Sequence, residues 1–197
     1  MEESIDPRDV LAAVANILDR SGIPYAVTGG MALHVWGRPR FTADADIIIA
    51  MKAADIGVLA KALRAISMAN YISEDAMHRA LANRGEFNFI DGETGVKVDF
   101  WVIKDGPFEK EQLNRRMRKT IKGTPVYFVS PEDLILSKLI WHKESESSRQ
   151  REDVESVVRI QKKLDWRYLA KWSKRQGTAR ILRELKIQAK VGKSGRS

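Results

Sequence analysis

Five residues in the first hundred, two glycines and three aspartates, are the ones whose types and spacing most directly imply chemistry. Tyr25-Ala26-Val27-Thr28 reads as a short buried strand that runs straight into Gly29-Gly30, with a helix beginning at once. Glycines at such a junction let backbone approach a ligand closely, and free amides at a helix start favour an anion such as phosphate. Fourteen residues after Gly30 comes Asp44-Ala45-Asp46, at the head of an isoleucine-rich strand. On a strand, residues two apart share a face, so Asp44 and Asp46 stand side by side. Their charges repel and call for a counter-ion. A hard divalent cation such as magnesium, which takes one or two carboxylates plus substrate phosphates, answers that need. Asp99 sits inside the apolar strand-like run Val96 to Val102. A charge there is costly unless paired or bound to metal. If this strand lies beside the Asp44–Asp46 strand, the three acids form one cluster, suited to holding two metals for an in-line phosphoryl displacement. Each feature also has an ordinary explanation when taken singly: a tight turn, a solvated strand end, an aspartate paired with Lys97.

The surrounding elements follow from pattern. Asp6-Pro7 opens a first helix, with Asp as N-cap and Pro at N1. Met31 to Trp36 reads as a short helix and 37–40 as a loop. Asp44 to Met51 is a strand and Ala53 to Ala69 a helix. Phe87 to Ile90 and Val96 to Ile103 form a hairpin across the turn-rich Asp91 to Gly95. Thr120 to Val129 holds two short strands around Gly123. At Ser130-Pro131-Glu132-Asp133 the pattern turns helical, with an N-cap, a Pro at N1 and an acidic first turn. Helices then run from about Arg149 to Lys163, Trp166 to Lys174 and Thr178 to Lys190, while Val191 to Ser197 reads as an irregular tail. The fold class is therefore α/β (α+β): a small mixed sheet with flanking helices over residues 1–129, then a helical part over 130–197 ending in a basic tail.

This constellation resembles the nucleotidyltransferase-fold superfamily, which contains DNA polymerase β, CCA-adding enzymes and aminoglycoside nucleotidyltransferases. The pattern there is a glycine pair, then Asp-x-Asp on a strand, then a third acid on a later strand. Gly29-Gly30, Asp44, Asp46 and Asp99 match it, with the spacing to Asp44 at the upper edge of the usual range. The phrase from Gly29 to Ile49, GGMALHVWGRPRFTADADIII, looks like the branch related to abortive-infection toxins. Ser130-Pro131-Glu132-Asp133-Leu134, Lys138 and Asp153 are similar to the C-terminal segments of that branch. The resemblance implies two Mg2+ ions (or Mn2+) on Asp44, Asp46 and Asp99. It implies an NTP such as ATP whose outer phosphates sit at Gly29-Gly30 and Thr28. It also implies that Asp99 lies nearest the attacking hydroxyl, that Lys138 contacts the phosphates, and that Asp153 helps to build the site. Arg38 and Arg40 are placed either to neutralise phosphate charge or simply to be solvated in their loop.

Charge bears on the acceptor. Lys plus Arg is 34 against 26 Asp plus Glu, a net +8. Residues 1–100 carry 10 basic and 14 acidic side chains, whereas residues 101–197 carry 24 and 12. A half at +12 points to a polyanionic partner. Asn114 to Lys119 is one basic cluster. Lys171, Lys174, Arg175, Arg180, Arg183, Lys186, Lys190, Lys193 and Arg196 make another, with Trp166, Tyr168 and Trp172 interleaved. They read either as an RNA groove with a stacked end base or as a helical core with a solvated basic face. Three functions stand open. One is transfer of an NMP to a hydroxyl of RNA such as tRNA, as the toxin of a toxin–antitoxin pair. Another is transfer to a small molecule of aminoglycoside type or to a protein hydroxyl. The third is a non-catalytic antitoxin or binding protein on the same scaffold. The complete set of acids argues against the third.

Other chemistries drop out. There is no cysteine, which excludes disulfides, thiolate zinc sites and a cysteine nucleophile, and suits a reducing, cytoplasmic setting. His34, His78 and His142 are isolated, GxxxxGK[ST] does not occur, and neither does GxSxG. No apolar run is long enough to span a membrane, and the first residues lack the apolar stretch of a signal peptide.

Overall fold

The structure is a computed structural model that describes residues 6–67 and 69–194, with the side chains of 189–194 not described. In chain order the elements are α1 (Pro7–Arg20), β1 (Tyr25–Thr28), α2 (Gly29–Trp36), β2 (Ala45–Ile49), a 3-10 turn (Ala53–Asp55), α3 (Ile56–Arg64), β3 (Tyr71–Ile72) and α4 (Glu74–Asn83). Then come β4 (Glu86–Ile90), β5 (Lys97–Val102), α5 (Pro107–Asn114), β6 (Met117–Ile121), β7 (Thr124–Phe128), α6 (Pro131–Ser145), α7 (Ser148–Ile160), α8 (Trp166–Gln176) and α9 (Ala179–Ser194). They divide into two compact units. One is Met1–Met31 with Phe41–Val129; the other is Ala32–Arg40 with Ser130–Ser197. The second unit thus takes in residues 32–40 as well as those from Ser130 onward.

The first unit is built on a seven-stranded mixed sheet of order β3-β4-β5-β2-β1-β7-β6. β2 is antiparallel to β1 and parallel to β5, while β4 and β5 form the antiparallel hairpin. Alternation divides the two faces. Ala45, Ile47 and Ile49 of β2, Val98, Phe100 and Val102 of β5, and Phe87 and Phe89 of β4 are buried. Phe87 and Phe100 pair in register and stack with centroids 4.8 Å apart. A layer of α1, α3 and α4 packs on strands β4, β5 and β7. The opposite face carries Asp46, Lys97, Asp99, Trp101, Glu86 and Asn88, which are half-buried or exposed. Period-2 alternation therefore delivers the acids to one face and the core to the other.

Helix starts follow local chemistry. Asp6 accepts from the Arg8 amide ahead of Pro7, and Ser130 accepts from the Asp133 amide ahead of Pro131. Several elements depart from expectation. The helix expected over Ala53 to Ala69 is a 3-10 turn followed by α3, which ends at Arg64. β3 and α4 fill residues 71–83, where no element was read, with the Ser73 hydroxyl capping α4 at the Ala76 amide. α9 continues through Ser194 rather than giving way to an irregular tail at Val191; residues 195–197 lie outside those described.

In the second unit α6 is buried on nearly every side from Pro131 to Leu139. Its buried charges each have a partner, as burial requires. Asp133 accepts from Ser130 Oγ and from Tyr168 OH, both at 2.6 Å, and Glu132 Oε1 accepts from the Asp165 amide at 2.8 Å. Residues 32–40 are fastened to the same unit. Gln161 Nε2 donates to the Trp36 carbonyl at 2.6 Å, and the Arg38 amide donates to Ser156 Oγ at 3.1 Å. A Cβ on Gly37 would lie 2.6 Å from Ser156 Oγ and 2.7 Å from Leu33 Cδ1, so only glycine fits there without a shift.

Candidate active site

Strand register places four polar side chains in one row across the sheet of the first unit. Thr28 pairs with Asp46, Asp46 with Asp99, and Asp99 with Asn88. Neighbouring strands lie roughly 4.8 Å apart, so Asp46 and Asp99 are adjacent on one face. Asp44 precedes β2 by one residue and shares the alternation of Asp46. Thr42 Oγ1 donates to the Asp44 carbonyl at 3.1 Å and steadies that strand entry. The three aspartates read from the sequence are thus drawn to one end of one face. Asn88 was not singled out; its place between Phe87 and Phe89 in an alternating strand was the signal for it.

The glycine turn is shaped around an acid of the protein itself. Gly29 has φ +59°, the left-handed region, and a Cβ built on it would lie 1.9 Å from Asp46 Oδ2. Position 29 therefore needs glycine twice over, for conformation and for space. A Cβ on Gly30 would meet Thr42 Oγ1 at 2.6 Å. The close approach anticipated for a ligand is made in this structure by the Asp46 carboxylate, beside the first residue of α2.

One cation already stands among the acids. Lys97, two residues before Asp99 on the same face of β5, places Nζ 2.8 Å from Asp99 Oδ2. The hydrogen bond to Asp99 raises the Lys97 pKa; partial burial opposes this, and the charges of Asp99, Asp44 and Asp46 add to it. The Lys97 ammonium thus feels all three aspartates. Among the described residues no group of three or more His, Asp or Glu side chains stands in ligand geometry for a metal ion. The donor set, hard carboxylate oxygens on adjacent strands beside a glycine cradle, is nonetheless of the kind a divalent cation such as magnesium takes.

The second unit holds a separate charged trio. Arg40 grips Asp153 through two parallel bonds, Nε to Oδ1 at 3.1 Å and Nη2 to Oδ2 at 3.0 Å. Lys138 Nζ donates to Asp153 Oδ2 at 2.7 Å and to Gln150 Oε1 at 3.0 Å. Burial pushes the Asp153 carboxyl upward, but hydrogen bonds from Arg40 and Lys138 and their charges outweigh it and hold the pKa below the usual carboxylate value. Lys138 is only 1% exposed, whereas the Arg40 side chain is 27% exposed. The phosphate contact expected of Lys138 therefore meets a different geometry: its ammonium is enclosed and bound to Asp153. His34 Nε2 hydrogen-bonds with the Arg40 carbonyl oxygen. A cavity of about 170 Å³, lined by Arg38, Glu152, Glu155, Ser156, Arg159 and Ile160, lies in this unit and contains none of the three sheet aspartates.

The aromatic residues of α8 divide. Trp172 is buried at 4% exposure with Lys171 and Arg175 over its ring, so it packs rather than offering a stacking face. Half-buried Trp166 has Lys186 Nζ 3.9 Å from its ring centroid. Lys171, Lys174, Arg175, Arg180 and Arg183 are exposed. Lys190 and Lys193 belong to the residues whose side chains are not described, and Arg196 lies outside the described residues. Among the described residues no helix is long and apolar enough to cross a membrane.

A mixed sheet with a strand–glycine–helix turn, an Asp-x-Asp strand and a third aspartate in register on the next strand defines the nucleotidyltransferase fold. Solved structures agree. The chain is similar to an antigenic nucleotidyltransferase-like protein from Paracoccidioides brasiliensis (TM-score 0.53, 21% identity, 79% of this chain and 76% of that one). It is also similar to ANT(2")-Ia in complex with adenylyl-2"-tobramycin (TM-score 0.53, 14% identity, 93% and 97%). A third likeness is to the lincosamide antibiotic adenylyltransferase LnuA, lincomycin-bound (TM-score 0.52, 14% identity, 78% and 97%). No curated protein matches the chain. Residues 11–157 match the family described as "Nucleotidyl transferase AbiEii toxin, Type IV TA system". The chain belongs to that family and is a nucleotidyltransferase.

Proposed function

We propose that this protein transfers an NMP from an NTP to a hydroxyl of an RNA acceptor such as tRNA, as the toxin of a toxin–antitoxin pair. The observation that carries the reading is the register of Asp46 with Asp99, which puts the Asp-x-Asp pair and the third acid on one face beside the Gly29 turn. Asp44, Asp46 and Asp99 would hold Mg2+, two ions, with Mn2+ serving equally. A metal held there would supply charge to neutralise the triphosphate and polarise the phosphate under attack. Thr28, Gly29 and Gly30 present the start of α2 to the outer phosphates. Asp99 accepts the proton of the attacking hydroxyl. The acceptor oxygen bonds to the α-phosphorus, the bond to the bridging oxygen breaks, and pyrophosphate leaves.

The trio in the second unit takes a supporting role. Asp153, held by buried Lys138, fixes the guanidinium of Arg40, the member of the trio whose side chain stays partly exposed and so open to a phosphate. Lys138 then acts through Asp153 rather than by touching nucleotide. The acceptor reading rests on the +12 balance of residues 101–197 and on the exposed basic side chains of α8 and α9. A cognate antitoxin protein is the partner the family implies, and the cysteine-free chain suits the cytoplasm.

The deciding assay offers each α-labelled NTP with magnesium to total tRNA, lysate protein and an aminoglycoside separately, with Asp46→Ala as control. Label on RNA supports the reading and names the nucleotide. Label only on protein or drug overturns the acceptor assignment. No label, with no NTP binding by folded protein, overturns transfer itself.

A further inference from the structure

The Lys97–Asp99 pair has no place in the transfer chemistry proposed above, and its geometry is specific. Lys97 and Asp99 are two apart on β5 and so point to the same side. The ammonium is 2.8 Å from Asp99 Oδ2, and Asp46 is the cross-strand neighbour of Asp99. The Lys97 side chain is 37% exposed and that of Asp99 16%. An ammonium on a four-carbon stem at a half-open site has room to leave its acid, whereas the acids cannot leave the strands. Three carboxylates on one face also need positive charge whenever no metal is bound.

We propose that Lys97 is the resident counter-cation of the aspartate row, holding Asp99 in the metal-free protein and competing with a divalent cation for it. Lys97 is thus a positioning residue that sets how much metal the site requires; the inference rests on the aspartates being the metal ligands. Two consequences follow. Metal binding at Asp99 must displace the ammonium, so removing it tightens metal binding. The metal-free protein, deprived of the ammonium, loses the charge that balances Asp99 and with it stability that metal restores.

The test uses Mn2+ alone, titrated into the full chain and followed by electron paramagnetic resonance of the free ion. Lys97→Met keeps the aliphatic stem and removes the charge, while Lys97→Arg retains the charge. Because the pair is partly exposed, the expected tightening is modest: Kd for Mn2+ falls about three- to tenfold in Lys97→Met and stays near wild type in Lys97→Arg. In EDTA, Lys97→Met melts at a lower temperature than wild type, and saturating Mn2+ closes the gap. Unchanged or weaker Mn2+ binding in Lys97→Met overturns the inference. Asp46→Ala, run beside it, separates the two readings. If it abolishes Mn2+ binding while Lys97→Met leaves binding unchanged, only the role of Lys97 fails. If wild type and Asp46→Ala bind Mn2+ alike, the aspartates are not the ligands and both fail.

Discussion

Gly29→Ala is the perturbation that most directly probes how the turn and the acids are fitted together. Two separate costs are built into position 29. The backbone is left-handed, φ +59°, which for an L-residue costs about 1–2 kcal/mol. The new methyl would also stand 1.9 Å from Asp46 Oδ2 and 2.7 Å from its Cγ, so Asp46 or β2 must move. Forced overpacking of that kind costs about 1–3 kcal/mol, giving a total near 2–5 kcal/mol. Gly22 supplies the control: its φ is +65° but nothing lies within 4 Å of the Cβ position. Gly22→Ala should therefore show only the backbone cost, about 1–2 kcal/mol. Urea unfolding of both variants measures the difference. A second arm adds Asp46→Ala, which removes the two nearest atoms the methyl strikes, Oδ2 and Cγ, and leaves only Cβ, 3.0 Å away. In the double variant the extra cost of Gly29→Ala should fall towards that of Gly22→Ala, a coupling of about 1–3 kcal/mol. Gly29→Ala should also lose transfer activity, since the displaced carboxylate is a candidate ligand. Equal destabilisation at positions 22 and 29, or no coupling with Asp46→Ala, would refute the reasoning.

Other outcomes follow from the same geometry. Asp46→Ala alone should abolish nucleotidyl transfer while near-native circular dichroism persists, because removing one of several neighbouring acids relieves repulsion. Lys138→Met should destabilise by about 3–5 kcal/mol in urea, since it removes a buried partner of Asp153 and leaves Arg40 alone to balance it. The Asp153 pKa is lowered in the folded protein, so its pairing stabilises above the unfolded carboxylate value and is lost as pH falls through the folded one. Asp153→Asn should accordingly be less stable at neutral pH and show a shallower loss of stability below about pH 4 than wild type. RNA binding, measured by filter retention, should weaken steeply with salt, and replacing Lys171, Lys174 and Arg175 together should flatten that slope by about 2–3.

Much of the sheet was legible because its signals are local. The isoleucine run after Asp46, the Asp91–Gly95 turn and the Ser130-Pro131 cap each specify an element without reference to the rest of the chain. Asp44 and Asp46 were legible as a pair because residues two apart share a face whatever the topology, whereas Asp99 joins them only through the pairing of β2 with β5. Three things were not. β3 has only two residues and is held by pairing with β4, so no periodicity announces it. The role of Gly29 depends on β1 pairing antiparallel to β2, which brings Asp46 opposite Thr28. The enclosure of Lys138 depends on α6 being buried all round, and α6 shows no amphipathic pattern from which to read a hidden face. In each case the missing information was a partner distant in sequence.

The stretch Ala32–Arg40 has a consequence for dissecting the protein. The chain leaves the sheet unit after Met31, returns at Phe41 and leaves again after Val129. A fragment ending at Val129 carries Trp36, Gly37, Arg38 and Arg40 but lacks Gln161, Ser156 and Asp153, to which they are fastened. No single cut yields two self-sufficient pieces. On a ribosome, this nine-residue stretch emerges long before its partners and must wait for more than a hundred residues to be made. Residues 1–129 expressed alone should thus be soluble and active only when 130–197 is supplied in trans, which makes the pair a natural split reporter.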